Sequence, residues 1–319
     1  MRIALVTPAP ARSRSGNRAT ANRWARLLRG LGHRVDVIVD YAGESADLMI
    51  ALHAWRSAAA IREFDQRYPD RPLVVVLTGT DAYRFIHSHP QETKASLARA
   101  NLIVGLHELI GDAIPQGYED KLRVIFQSAK PLTGHQAPKR FFRACMAGHL
   151  REEKDPLRPA LAVRDLPVHS RIRIDAYGKA HTPEWAALAA AEAVRNPRYH
   201  WHGEIGHAKL RQVYRRSNLL VLSSRMEGGA NVVSEAVMAG LPVIASAIPG
   251  SIGLLGADYP GYYPVEDTRA LRELLLLAES DAVFYARLHE ACRQRQYLFS
   301  ETAEQRAWSD LLDELTTTK

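Results

Sequence analysis

The chain has 319 residues, 46% of them hydrophobic and 24% charged. That balance is normal for a globular enzyme, excludes a disordered or membrane-embedded class, and suits two domains near 150 residues each. No apolar run approaches the roughly twenty residues of a membrane helix, and MRIALVTPAPAR has too short an apolar stretch for a signal peptide, so a soluble, cytoplasmic protein is expected. Cys145 and Cys292 are too few for a disulfide scaffold or a Cys-based zinc site. A net charge of +7 favours anionic partners. The basic residues are spread out with no RRM, zinc-finger or basic-region pattern, which points to small molecules and not to nucleic acid.

Arg2–Thr7 reads as a first strand, followed by a loop holding Arg12, Arg14, Gly16, Asn17 and Arg18, then a helix over 19–31. A Gly-containing loop between first strand and first helix is where doubly wound domains bind phosphates. The absence of G-x-G-x-x-G argues against NAD or FAD. The three arginines read either as a solvated basic loop or as an anion site, and the loop's position favours the anion site. Val35–Val39 is a second strand and 46–53 a third, with His53 at its carboxyl end. Such a histidine serves as acid, base or ligand contact about as readily as it serves structure. Leu73–Leu77 is a strand ending in the polar cluster Thr78, Gly79, Thr80 and Asp81, which has hydroxyls and one carboxylate but no histidine. Strands at 102–106 and 121–126 complete the first sheet. A proline-bearing linker runs over 128–140.

A second α/β domain follows, with a strand at 142–147 and a loop from Gly148 through Arg151 and Lys154 to Pro156. A strand at 171–177 ends in Gly178-Lys179, a helix covers 183–194, and 199–203 forms a short strand and loop containing His202. After a helix at 210–217, the apolar run Leu219–Leu222 reads as a buried parallel strand. Glu227-Gly228-Gly229 makes a loop without a bulky tip, and from Asn231 the apolar spacing turns helical until Gly240 and Pro242 end it. Helix starts leave N–H groups without internal partners and attract phosphate. Glu227 and Glu235 frame that start, an arrangement that would suit a nucleotide-sugar, although an ordinary βαβ turn with two solvated glutamates fits the spacing too. A last strand near 262–264 and helices at 268–279, 281–295 and 302–315 close the chain.

The segment from Glu227 to Glu235, followed in register by Ala239-Gly240-Leu241-Pro242-Val243, resembles the Glu-x7-Glu signature of two-domain (GT-B type) glycosyltransferases. The resemblance implies two Rossmann-like doubly wound domains facing each other, over 1–135 and 136–297, with a C-terminal helix at 298–319 crossing back onto the first. It implies that Glu227 contacts the donor sugar, that Gly228, Gly229, Ala230, Asn231 and Val232 hold the diphosphate, and that Glu235 binds the ribose. Arg151 and Lys154 match cations that stabilise the departing diphosphate, and Gly178 and His202 fall on the donor side. Arg12, Arg14, Gly16, Asn17, Arg18, His53, Thr78, Gly79, Thr80 and Asp81 are then the acceptor side. No Asp-x-Asp metal site is present, so neither metal nor cofactor is expected. Over its full length, with MRIALVTPAPARSRSGNRATANRW, Leu77–Asp81 and Gly228–Val232, the chain resembles the selenosugar synthase branch of these enzymes. That resemblance implies transfer of a hexose, N-acetylglucosamine first among the choices, from a UDP-sugar to selenophosphate. A conventional transferase acting on a hydroxyl and a non-catalytic nucleotide-sugar binding protein are the alternatives.

Overall fold

A computed structural model describes residues 1–317; positions 318 and 319 of the expected C-terminal segment lie outside the described residues. The chain divides into two compact units. One comprises Met1–Gln127, Glu227–Ala230 and the described residues from Glu301 on; the other comprises Ser128–Met226 and Asn231–Ser300.

The first unit contains β1 (Arg2–Val6), α1 (Gly16–Gly30), β2 (Arg34–Ile38), β3 (Leu48–Leu52), α2 (Ala58–Arg67), β4 (Leu73–Val76), α3 (Ile86–Ser88), α4 (Pro90–Arg99), β5 (Leu102–Gly105) and β6 (Leu122–Val124). All six strands run parallel in the order β2-β1-β3-β4-β5-β6. Successive side chains alternate between the two faces of a strand. Ile3, Leu5, Ile50, Val74 and Val76 therefore enter one apolar layer, and Ala4, Val6, Met49, Ala51 and Val75 enter the other. Both faces must be covered, and α2 and α4 lie over the second layer.

The second unit contains β7 (Phe142–Ala147), α5 (Arg158–Ala162), β8 (Ile172–Tyr177), α6 (Pro183–Arg195), β9 (Tyr199–Trp201), α7 (His207–Arg215), β10 (Leu219–Leu222), α8 (Asn231–Met238), β11 (Val243–Ser246), α9 (Pro249–Leu255), β12 (Tyr262–Tyr263), α10 (Thr268–Ser280) and α11 (Ala282–Arg295). Its sheet is also parallel, in the order β12-β11-β10-β7-β8-β9. The direction of strand succession reverses between β7 and β10, as it does in the first sheet between β1 and β3. Open parallel sheets bind ligands outside the carboxyl ends at such reversals.

A final helix, α12 (Glu301–Thr317), belongs to the first unit. It covers the first apolar layer beside α1: Trp308 meets Trp24 edge-on at 4.8 Å, and Leu311, Leu312 and Leu315 join the same core. Glu304 is buried within this contact, accepting from Trp24 Nε1 at 2.6 Å and pairing with Arg23 Nε at 3.1 Å. The expected helix return is therefore present. The helix α4 has no counterpart among the expected elements, because its buried stripe is Thr93, Ser96 and Leu97 and gives little apolar period. Ser96 Oγ donates to the Ala54 carbonyl at 2.8 Å, so the polar stripe is satisfied.

Removing one partner of a buried charge pair leaves the other uncompensated. Glu304→Ala is expected to lower unfolding stability by about 3 kcal/mol, read as a fall in the urea midpoint.

Candidate functional site

In the second unit the register of Leu220 against Cys145 brings the carboxyl ends of β7 and β10 side by side. The loop leaving β7 is tied to the end of β10. Ser223 Oγ donates to the carbonyls of Lys154 (3.0 Å) and Asp155 (2.8 Å), and the Arg225 N–H donates to the Glu153 carbonyl at 2.9 Å. Asp155 adopts a left-handed backbone (φ 42°), and its carboxylate accepts from Arg158 Nε at 2.7 Å. Gly178, at the end of β8, lies so close to this loop that an added Cβ would stand 1.9 Å from the Gly148 carbonyl oxygen. Only glycine allows that approach.

This loop carries Arg151 and Lys154 alongside Glu152, Glu153 and Asp155. Arg151 and Lys154 are partly buried in it, and Arg151 Nε is buried without a hydrogen-bond partner, 3.8 Å from Glu153 Oε2. His149 Nδ1 accepts the Lys179 N–H at 3.2 Å, and its ring lies 5.5 Å from that of His181. The pKa of His149 is lowered, by burial first and then by His181, with Arg151 and Lys154 adding to it. That of His181 is lowered by burial and then by Arg151. Burial, with neighbouring cations adding to it, thus holds both histidines below their usual range.

Glu235 sits within α8, and both of its oxygens are engaged from α7. The Tyr214 hydroxyl donates to Oε2 at 2.8 Å, and His207 Nε2 lies 3.1 Å from Oε1. Burial, and then Glu235, raise the Tyr214 pKa well above its ordinary value, so the phenol stays a donor. Two donors fix the carboxylate in orientation. Neither Tyr214 nor His207 stood out in the sequence; their spacing places both on one face of a helix but does not name a partner. His202 bonds Asp175 Oδ1 at 2.9 Å through Nε2 and stacks on Tyr177 with centroids 4.7 Å apart. The pair presents a flat aromatic surface at the carboxyl ends of β8 and β9.

In the first unit Arg12 and Arg14 are exposed in the loop after β1. Gly16, Asn17 and Arg18 form the first turn of α1, where Ser15 is the N-cap and accepts the Arg18 N–H at 3.5 Å. Arg18 Nε is buried without a hydrogen-bond partner. At the carboxyl end of β3, His53 has a left-handed backbone (φ 75°) and is 1% exposed. Its Nδ1 pairs with Asp81 Oδ1, and its Nε2 lies 3.1 Å from Thr80 Oγ1. Asp81 Oδ2 accepts from the Thr78 N–H (3.0 Å) and Thr78 Oγ1 (3.1 Å). The reading of Thr78–Asp81 as lacking a histidine is thus corrected: 28 positions upstream in sequence, His53 is brought into that cluster by the adjacency of β3 and β4.

The motif loop Glu227–Ala230 groups with this first unit. A Cβ at Gly228 would meet the Gly79 nitrogen at 2.1 Å, and one at Gly229 would meet Leu106 Cβ at 2.5 Å. The two glycines are therefore needed for close packing there. Among the described residues, no group of three or more His, Cys, Asp or Glu is placed to hold a metal ion, and no helix is long and apolar enough to cross a membrane.

Beside this cluster, His107 at the end of β5 is buried, its Nε2 3.0 Å from the Tyr83 hydroxyl. Burial pushes its pKa down to about 4, with Asp112 opposing weakly. The unfolded chain takes up a proton as pH falls through about 6.5, whereas the native His107 resists until about 4. Stability is therefore complete above that upper value and lost progressively below it, by up to ~3 kcal/mol from this residue. Urea midpoints between pH 7.5 and 5 should show the loss, and His107→Gln should flatten it.

Residues 133–295 match the sequence model of a family described as glycosyl transferases group 1. No curated protein sequence matches the chain. Among solved structures, sucrose-phosphate synthase from Thermosynechococcus elongatus superposes with a TM-score of 0.82 at 16% identity, covering all of both chains. Anabaena HepE in complex with UDP-glucose gives 0.77 at 16%, over 98% of this chain and 100% of that one. The pneumococcal O-GlcNAc transferase GtfA in complex with UDP and GlcNAc gives 0.64 at 17%, over 84% of this chain and 57% of that one. At these identities the structural likeness is one of fold. The sequence match spans just over half of the chain and includes the β7 loop, Glu227 and Glu235, and on it the chain belongs to the glycosyl transferases group 1 family.

Proposed function

We propose that this enzyme transfers a hexose, N-acetylglucosamine first among the choices, from a UDP-sugar to selenophosphate. The anomeric C–O bond to the diphosphate breaks and a C–Se bond forms. Water then cleaves the P–Se bond, releasing phosphate and leaving a selenosugar. On the donor side Arg151 and Lys154 neutralise the departing diphosphate, and the residues Gly228–Val232 offer it backbone N–H groups. Glu235, oriented by Tyr214 and His207, takes the ribose hydroxyls. The Tyr177–His202 surface and Gly178 line the base end, and Glu227 contacts the hexose. Positioned charge of this kind accelerates group transfer without metal or cofactor chemistry. HepE and GtfA are solved with UDP-sugar or UDP, which supports the donor class.

The observation that carries the acceptor is Arg18, a guanidinium with a buried, unpartnered Nε at the start of α1, beside the loop of Arg12 and Arg14. A small oxyanion would supply the missing acceptor. The resemblance along the whole chain selects selenophosphate among such anions. A second reading, transfer to a hydroxyl, is favoured by the His53–Asp81 pair, since a carboxylate-held imidazole can take a proton.

UDP release from UDP-N-acetylglucosamine should depend on selenophosphate and yield a sugar with a selenium isotope pattern by mass spectrometry. Release that depends instead on a hydroxyl acceptor, and is abolished by His53→Ala, would transfer the assignment to the second reading. Lys154→Ala is expected to lower kcat by ~10²–10³. Arg18→Ala should raise the KM for selenophosphate roughly tenfold with little change in kcat. An unchanged KM would remove the selenophosphate role from Arg18.

A further inference from the structure

The amino ends of β7, β8 and β9 border an open cavity of about 360 Å³, lined by Arg140, Phe141, Ser170, Arg171, Arg173 and Arg198, with Pro197 beside them. Because the strands are parallel, this is the sheet edge opposite the β7 loop; the six residues of β8 separate the two edges by roughly 17–20 Å. The function proposed above makes no use of it. We propose that this cavity binds a small multivalent oxyanion of the phosphate-ester or diphosphate class.

Four guanidiniums line the cavity, and one carboxylate, Glu279, answers them. Glu279 is already engaged: Oε1 accepts the Arg171 N–H at 2.6 Å and Oε2 accepts from Ser170 Oγ at 2.7 Å, with Arg171 Nε 3.8 Å away. Arg198 is held rigid by carbonyls, its Nη1 donating to Ser170 and Ile172 at 2.7 and 3.1 Å and its Nη2 to Pro167 at 3.1 Å. Arg171 Nη1 donates to the Lys139 carbonyl at 3.1 Å. Arg173 and Arg140 are positioned differently. Their guanidinium carbons lie 3.5 and 5.2 Å from the centroid of the Phe141 ring. At 3.5 Å the Arg173 guanidinium rests on the ring, which restricts its orientation without consuming its N–H donors, while Arg140 makes the looser cation–π contact. Neither Arg140 nor Arg173 has a carboxylate partner among the described residues. The result is an excess of oriented positive charge with unspent donors in a concave space of ligand-pocket size. A compact anion with several oxygens answers that arrangement; a long acidic chain would meet the cavity with only one or two of its groups.

The test is isothermal titration with inorganic pyrophosphate at fixed ionic strength, on wild type, Arg140→Ala/Arg173→Ala and Lys154→Ala. Saturable binding is expected in wild type and in Lys154→Ala. In the double variant affinity should fall roughly tenfold or more, as loss of charge-assisted hydrogen bonds implies, while UDP-sugar turnover is unchanged. Equal affinity in the double variant, loss confined to Lys154→Ala, or no heat beyond a chloride control would overturn the proposal. So would tighter binding of a poly-glutamate peptide than of pyrophosphate. If circular dichroism shows the double variant misfolded, Arg140→Lys/Arg173→Lys takes its place, keeping charge but losing the planar fork, with weaker binding expected. UDP-release assays judge the proposed transferase activity independently of these titrations.

Discussion

A parallel sheet buries both of its faces, and the architecture of each unit follows from satisfying that requirement twice. In the first unit the alternation along β1, with Ile3 and Leu5 on one side and Ala4 and Val6 on the other, creates two apolar layers from one strand. Helices α2 and α4 close one layer, while α1 alone does not close the other. The indole of Trp308 against Trp24, with Glu304 satisfying the buried Trp24 N–H, completes it. Because the helices take the faces, the carboxyl edges are left for chemistry. The loops that carry Arg12, Arg14, Arg151, Lys154 and Glu227 leave from those edges.

Those edges are prepared in different ways. After β7 the backbone is pinned by Ser223 and Arg225, and burial first, with neighbouring cations adding to it, lowers the pKa of His149 and His181. After β3 and β4 the preparation is a buried, hydrogen-bonded cluster in which His53 holds an uncommon backbone conformation against Asp81. Strained backbone that persists at a ligand edge is held there by its surroundings. One edge is thus built on pinned backbone with Arg151 and Lys154, the other on a buried histidine–carboxylate pair.

Much of this was legible in the sequence because strand ends and glycine-rich turns are local signals. The apolar runs at 48–52, 73–76 and 219–222 announce buried strands, and the Glu227–Glu235 segment announces its loop and helix. What the sequence withheld is lateral adjacency. His53 and Asp81 meet only because β3 and β4 are neighbours, and Tyr214 and His207 find Glu235 only through the packing of α7 and α8. The helix α4 escaped for another reason: two of its three buried side chains, Thr93 and Ser96, are hydroxyls, which leaves little apolar period. The guanidinium-lined cavity likewise combines residues about thirty positions apart, brought together by register between strand starts.

The return of α12 to the first unit has a consequence for synthesis. Residues 1–127 emerge from the ribosome first, yet the helix that covers one of their apolar layers is made only after residue 300. At ~5–20 residues per second that interval lasts roughly ten to thirty-five seconds. During it the nascent first unit presents the surface around Trp24 and Leu28 without its lid, while the whole of the second sheet becomes available to fold. Vectorial synthesis thus delivers the later unit complete before the earlier one. Until translation reaches its final helix, the first unit of this design is left with an apolar face uncovered.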